Sequence, residues 1–135
     1  MAIVYSTRRD ITIEQILPIY HANQWSSANV PETLHQALLN SHSLISAWDG
    51  EKLVGIGNAI SDGFLVVYYP HLLVHPDYQR QGIGKEIIGK LQQKYQEFHM
   101  QILVADFEAT AFYQKCGFSK AGQTQSMWIY AGNDH

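Results

Sequence analysis

Hydrophobic positions along this chain follow two periods, and the changes between them divide it into elements. Residues 3–6, Ile-Val-Tyr-Ser, form a short β-prone run and predict a first strand. Thr12 followed by Gln15 fits a capping box at the head of IEQILPIYHAN. Pro18 lies inside that stretch, so the helix must kink or start near it. VPETLHQALLNS predicts a second helix, with Pro31 in its first turn and Leu34, Leu38 and Leu39 on one side. Residues 44–48 and 53–60 are β-prone and joined by Asp49-Gly50, the signal of a hairpin. Gly55 and Gly57 interrupt the second of these strands, which marks a bulge or a place where something packs closely. After an Asp62-Gly63 turn, residues 64–74 are almost continuously apolar and predict one long strand buried on both faces. Pro70 cannot donate to a ladder, so that strand should carry a bulge or an interrupted edge there.

The period then returns to helical. Ile83, Ile87, Leu91 and Tyr95 repeat at four, with Ile88 beside them, and predict a helix from about Gly82 to Glu97. Lys85, Glu86, Lys90 and Lys94 fall toward water, and Glu86 with Lys90 makes a favourably ordered pair. QILVA at residues 101–105 predicts a short buried strand. EATAFYQKC predicts a short helix that Gly117 can terminate. SMWIY predicts a last strand. The resulting order is a mixed α/β sheet covered by helices. There is no repeat, low-complexity tract or linker-like shift in composition, so residues 1–135 read as a single domain.

Composition narrows the function classes. The 135 residues are 46% hydrophobic and 16% charged, enough apolar material for a packed core. A net charge of −3 offers no broad basic face and argues against nucleic acid as the partner. Cys116 is the only cysteine, so no internal disulfide and no thiolate zinc site is expected, and it reads as a small buried apolar side chain. The N-terminal MAIVYSTRRD has too short an apolar run for a signal peptide, and its charge follows that run. No stretch approaches the roughly 20 apolar residues that span a bilayer. The expectation is a soluble cytoplasmic protein that engages neither membrane nor nucleic acid.

HPDYQRQGIGKE, residues 75–86, carries the clearest chemistry. A buried strand ends at Val74, and His75-Pro76 leads the chain out of the sheet. A helix begins near Gly82, and its first turn presents backbone N–H groups and a partial positive charge, a ready phosphate site. Without side chains at Gly82 and Gly84, a pyrophosphate can approach the backbone closely. Gln79, Arg80, Gln81 and Lys85 bring further donors to the rim. A P-loop would end in Gly-Lys-Ser or Gly-Lys-Thr, and GIGKE lacks that hydroxyl. A Rossmann fingerprint needs a third glycine at a spacing this stretch does not supply. The remaining alternative is an ordinary loop with glycine at a helix start.

QRQGIG fits the Q/R-x-x-G-x-G/A signature of the GNAT superfamily of N-acetyltransferases, and LLVHPDYQRQGIGKEIIGKL resembles that family's strand, loop and helix for acetyl-coenzyme A. ADFEATAFYQKCGF resembles its second motif, in which a Phe-Tyr pair precedes Gly-Phe. Together they cover residues 64–118 in family-like order. The resemblance implies a mixed, twisted sheet of six to seven strands flanked by about four helices, with a splay between the fourth and fifth strands. It implies an acetyl-CoA-dependent transfer of an acetyl group directly to a primary amine through a ternary complex, without a metal. The pyrophosphate site maps to Gln79, Arg80, Gln81, Gly82, Ile83, Gly84 and Lys85. The pantetheine arm maps to Leu72, Leu73 and Val74, with a backbone N–H near Leu73 as oxyanion donor. Phe112 and Asp106 map to the cofactor's surroundings, although Asp106, where many relatives have asparagine, better suits a cap of the following helix than a bond to cofactor or substrate.

Tyr113 matches the family's proton donor to the leaving thiolate, against the reading of a core aromatic with a satisfied hydroxyl. Ala109, Phe112, Tyr113 and Cys116 share one helical side. His71 lies on the fourth strand where many relatives carry an acid; it could accept a proton, or be a buried histidine paired with backbone. His75 reads as a loop residue. A nucleophilic Cys116 has no base partner in the sequence. The walls of the amine-acceptor pocket are expected from Trp25, residues 61–64, Tyr68, Tyr69 and the final MWIY. An exposed last strand, which relatives pair or exchange, would support a homodimer. The competing functions are an acyl-CoA-binding sensor or interaction module on the same fold, and a plain nucleotide-binding protein.

Overall fold

The computed structural model describes residues 2–134. The elements, in chain order, are β1 (Val4–Ser6), α1 (Ile13–Ala22), α2 (Pro31–Leu39), β2 (Ser43–Asp49), β3 (Lys52–Ser61), β4 (Val66–Tyr68), β5 (Leu72–Val74), α3 (Ile83–Lys94), β6 (Met100–Ile102) and α4 (Thr110–Lys115), with single 3₁₀ turns at Ser26–Asn29, Pro76–Tyr78 and Phe107–Ala109. The sheet runs β1-β2-β3-β4-β6, and β5 also pairs with β3. All pairs are antiparallel except β4 with β6. This is the expected mixed sheet of six strands with four helices.

Local sequence explains most of these boundaries. The Thr12–Gln15 capping box is formed in both directions. The first helix runs through Pro18, which faces solvent, so the carbonyl left without a partner one turn earlier can be hydrated. Pro31 opens α2. Gly50, at φ +60, closes the β2–β3 hairpin. Gly117, at φ +99, ends α4 in a Schellman pattern: Phe118 N–H donates to the Tyr113 carbonyl and Gly117 N–H to that of Gln114.

Two apolar layers cover the sheet. On one face, Ile16, Ile19, Tyr20, Leu34 and Leu38 of the first two helices pack on Leu44, Trp48, Ile56 and Leu73. On the other, Ile83, Ile87, Ile88 and Leu91 of α3 pack with Tyr95 on Ile45, Ala47, Val54, Ala59 and Val67. The glycines of β3 lie under α3. A Cβ on Gly55 would come within 2.7 Å of Ile83 Cγ2, and one on Gly57 within 2.6 Å of Ile87 Cγ2. The pairing shifts by one residue here, since Ala47 faces Gly55 while Trp48 faces Leu53. Both expectations for these glycines therefore hold: a bulge at Val54, and a helix lying close on bare backbone.

Several expectations change. The long apolar run is not one strand. Tyr68 faces Ile60 and Leu72 faces Gly57, so three residues (69–71) lie opposite two (58 and 59). This bulge separates β4 from β5 at Pro70. Nor is the run buried throughout: Phe64 is 88% exposed, because Asp62 Oδ1 accepts from the N–H groups of Phe64, Leu65 and Val66 and holds the start of the run in a surface turn. The strand at QILVA is shorter than expected, Met100–Ile102, and Val104 is exposed. SMWIY forms no strand. Residues 126–130 are irregular and Met127, Trp128 and Ile129 are largely exposed, so the edge on which a strand-paired homodimer rests is not formed in the single chain. The helix at residue 83 stops at Lys94, short of Glu97, and the hydroxyl of its C-cap residue Tyr95 lies 2.6 Å from both His42 Nδ1 and Ser43 Oγ.

The helix-on-glycine contact sets a sharp contrast. Gly57→Ala should destabilise the protein by about 1–3 kcal/mol in urea unfolding, as overpacking does. Gly89→Ala, within α3 and with nothing within 4 Å of the added Cβ, should stabilise it by about 0.5–1 kcal/mol. Equal responses of the two variants would contradict the packing described.

Candidate active site

The bulge at residues 69–71 creates the site's first feature, an open strand edge. Asn58 N–H donates to the His71 carbonyl, and His75 N–H donates to the Val54 carbonyl. Residues 71, 73 and 75 therefore address β3, and the alternation of an antiparallel pair turns the N–H and C=O groups of Leu72 and Val74 the other way. No strand pairs with β5 on that side among the described residues. The Val74 carbonyl accepts from Asn23 Nδ2 and from Gln79 Nε2, each at 3.2 Å. Leu73 differs from the expectation: its side chain is in the core and its backbone faces β3, so the amides at the opening are those of Leu72 and Val74.

The second feature is the start of α3. Gly82 is its N-cap, at φ +84, and no side chain caps the helix. A Cβ on Gly82 would meet nothing within 4 Å. Bare backbone N–H groups at a helix start, beside Lys85 and next to an exposed loop of Gln79, Arg80 and Gln81, suit an anionic phosphate. Arg80 at φ +65 is one of two non-glycine residues with positive φ in the described chain, so the loop holds an unusual conformation ahead of the helix. Gly84 has another role: a Cβ there would contact Phe112 Cζ at 3.4 Å and Val74 Cγ2 at 3.5 Å. It seats the Phe112 ring of α4 on α3. Ile83 is buried in the core, so only its backbone faces the loop.

The third feature is a cavity of about 1300 Å³ that brings His71, Leu72, Asp106, Ala109 and Tyr113 together. His71 forms its floor. Its Nδ1 lies 2.7 Å from the Tyr20 hydroxyl, and its ring meets Trp25 edge-on at 4.9 Å. Burial pushes the His71 pKa down to about 4 and drives that of Tyr20 far up, so both are neutral at pH 7. If Tyr20 donates to Nδ1, the histidine proton sits on Nε2. If Nδ1–H donates to Tyr20, Nε2 keeps its lone pair and can take a proton. The backbone N–H of His71 donates to Asn58 Oδ1, and Asn58 Nδ2 donates to Ser41 Oγ.

Tyr113 projects from α4 between Phe112 and Phe118, with ring centroids at 5.1 and 5.9 Å. Burial, with the charges of Cys116 and Asp106 adding to it, pushes its pKa up to about 12. It therefore holds its proton at neutral pH. Asp106 occupies the N-cap position of the 3₁₀ turn but makes no side-chain capping bond there; it lines the cavity instead. Cys116 is half-buried with a raised pKa and lies outside the cavity lining.

The cavity walls were partly foreseen. Trp25, Tyr68, Tyr69, Met127, Trp128 and Tyr130 line it, but residues 61–64 do not. Unforeseen is the way the chain end closes one side. Asp134 accepts from Ser26 Oγ at 2.7 Å and from Ser26 N–H at 3.2 Å, and the Tyr130 hydroxyl donates to it at 2.7 Å. No short motif signals this contact, which joins residues 108 positions apart. Ser27, on the same wall, has a buried hydroxyl with no partner among the described residues.

Comparisons with known proteins bear on the family and the fold. Residues 7–128 match the model of the Acetyltransferase (GNAT) domain. An uncharacterised N-acetyltransferase of Pyropia yezoensis is 34% identical over 62% of this chain and 52% of its own length. A peptidyl-lysine N-acetyltransferase of Escherichia coli is 29% identical over 75% of this chain and 65% of its own length. The chain thus spans about half the length of the first of these relatives. Among solved structures, a GNAT family acetyltransferase from Streptococcus pneumoniae superposes with a TM-score of 0.82 at 30% identity, covering 97% of this chain and all of that one. An aminoglycoside N-acetyltransferase in complex with CoA shares the fold, with a TM-score of 0.71 at 14% identity over 97% of this chain and 95% of that one.

The neutral His71 makes stability depend on pH in a fixed direction. Its folded pKa lies below its ordinary value of 6.5, so the unfolded chain binds the proton more readily between the two. Stability should be level above about pH 7 and fall as pH drops through 6.5 toward 4, by about 2 kcal/mol between pH 7 and 5. His71→Gln should remove most of that slope in urea unfolding at the two pH values. An unchanged slope would place His71 in a more open setting.

Proposed function

The chain belongs to the GNAT family of acetyltransferases, and we propose that it transfers the acetyl group of acetyl-CoA directly to a primary amine of a small molecule or peptide. The observation that carries this reading is the broken strand. It turns the Leu72 and Val74 amides toward the opening and sets His71 in a cavity that Tyr113 of α4 also lines. A nucleotide site alone would need the helix start and nothing of the rest.

The residues fit the donor. The uncapped start of α3, with the open space over Gly82 and with Lys85 beside it, suits a pyrophosphate. The Leu72 backbone groups and the Val74 N–H suit the amides of a pantetheine arm, which would lie along β5 as an added strand does. When bound, acetyl-CoA supplies an acyl group activated as a thioester. Forming a C–N bond as the C–S bond breaks requires one proton to leave the amine and one to reach the departing sulfur. Tyr113, protonated at neutral pH, is the group to give the second. His71 can take the first in the tautomer that leaves Nε2 unprotonated; its low pKa makes it a weak base that is nevertheless ready throughout the neutral range. The N–H of Leu72 or Val74, rather than that of Leu73, is the donor to an oxygen gaining negative charge.

Acetyl-CoA should bind in calorimetry, and free CoA should appear when amines are supplied. Tyr113→Phe should lower kcat by about 10- to 100-fold while the dissociation constant for CoA changes by less than about twofold. Absence of acetyl-CoA binding would refute the reading, and undiminished kcat would remove Tyr113 from the chemistry.

A further inference from the structure

Hydrogen-bond accounting at the cavity floor separates the two tautomers of His71. Tyr20 is wholly buried, and its hydroxyl has one hydrogen-bond partner among the described residues, His71 Nδ1 at 2.7 Å. A phenol has one proton to give and lone pairs to receive with. If Nδ1–H donates to Tyr20, the phenolic proton is left in the interior without an acceptor. Trp25, the other ring against Tyr20, brings only an N–H donor. If Tyr20 donates to Nδ1, its proton is satisfied and the imidazole proton lies on Nε2. Burial keeps both groups neutral at pH 7, so no charged arrangement replaces these two.

His71 is held where it cannot trade this partner for another. Its N–H donates to Asn58 Oδ1 at 3.0 Å, and its carbonyl accepts from Asn58 N–H at 3.1 Å. The ring lies against Tyr20 and Trp25, with centroids at 5.5 and 4.9 Å. Nε2 is in a different position. Ser27 Oγ is the one buried side-chain polar atom without a partner among the described residues. Nε2 also has none, so it is open to the cavity that His71 lines. A buried partner at one ring nitrogen thus decides what the other offers.

We propose that Tyr20 is a positioning residue that fixes His71 as the Nε2–H tautomer, so that the resting protein presents a hydrogen-bond donor at the cavity floor and reaches the proton-accepting form of His71 only by reversing the Tyr20 bond. The kinetic consequence rests on the acetyltransferase reading. A donor at the floor suits the lone pair of an uncharged amine, whereas an ammonium would set N–H against N–H. The floor thus sorts the amine by its protonation before any bond is made. Taking the amine's proton then needs the other tautomer. Reaching it moves the ring proton from Nε2 to Nδ1 and turns the Tyr20 hydroxyl away from its acceptor. Leaving that buried donor unsatisfied makes the base form about 10- to 100-fold rarer.

Nitrogen NMR of the protein labelled with ¹⁵N-histidine reads the tautomer directly, and His71→Gln identifies the His71 signals by their loss. At pH 7 the wild-type ring should carry its proton on Nε2 alone. Tyr20→Phe keeps the ring and removes the proton that would be stranded, so both tautomers should appear. A wild-type ring protonated on Nδ1, or an even mixture, overturns the proposal, and this spectrum stands even if the variant does not fold. A variant that stays wholly Nε2–H removes Tyr20 as the cause and overturns it too. In CoA release with pentylamine and acetyl-CoA, Tyr20→Phe should raise kcat and the KM for the amine together, each by about threefold, as more base form and less floor donor are present. The dissociation constant for CoA should change by less than about twofold. A lowered kcat at unchanged KM would place the hydroxyl in the chemistry itself and overturn the proposal. If no amine releases CoA, the acetyltransferase reading fails, and the wild-type and variant spectra alone decide the tautomer.

Discussion

One surplus residue in the fourth strand of the sheet governs the rest of this molecule. Residues 69–71 lie opposite only two residues of β3, and Pro70 in their middle has no N–H to give. The chain therefore pairs β4 with β6 on one side of the break and leaves β5 with β3 alone on the other. A break in a buried strand exposes backbone groups to an apolar interior, which costs about 1–3 kcal/mol for each left unsatisfied. Asn58 removes part of that cost. It is a buried polar residue whose N–H donates to the His71 carbonyl and whose Oδ1 accepts the His71 N–H. Its own amide nitrogen is anchored by Ser41 Oγ. The opening is thus a stitched feature of the sheet, and His71 and Leu72 in the cavity lining inherit their positions from it.

The stitch also explains why a histidine at this position can be neutral. Held by Asn58 through its backbone, His71 has its side chain turned into a pocket of Tyr20 and Trp25, away from water. The same geometry that presents Leu72 and Val74 at the open edge fixes the ring a residue away. Backbone opening and low-dielectric floor are two results of one bulge. Tyr113 reaches the cavity independently, through α4, and α4 is set on α3 by the contact of Phe112 with Gly84. The site is therefore assembled from a sheet defect and a helix–helix contact.

How much of this was legible in the sequence follows from the range of the interactions. Caps, hairpin turns and the α3 face depend on residues within a few positions of each other, and Thr12, Asp49-Gly50 and the Ile83–Ile87–Leu91 repeat were read correctly. Pro70 announced an interruption, though hydrophobicity alone suggested that one strand passed through it. Hydrophobicity also misplaced SMWIY, where apolar residues serve a cavity wall and its rim instead of a sheet. Asn58 and the Ser26–Asp134 latch left no signal, because an asparagine between two β-prone residues and an aspartate at a chain end look alike whether they are surface or structure. Which of Leu72, Leu73 and Val74 turns its amide outward was not legible for a different reason: it depends on register, and a shift of one residue reverses it.

The two glycines of QGIG show what spatial context adds to a motif. Both look like places where a phosphate could approach bare backbone. Gly82 fits that description: it needs a positive φ, and the space over it is open. Gly84 has ordinary backbone, and the space over it is taken by Phe112 and Val74. Its missing side chain serves the seating of α4, and with α4 the placement of Tyr113. A motif that reads as a single phosphate cradle thus also packs a helix, and its second glycine ties α4, which carries Tyr113, to the start of α3. Enlarging residue 84 would push on Phe112, which adjoins Tyr113, so the signature's tolerance for only glycine or alanine at that place has a mechanical reason as well as an electrostatic one.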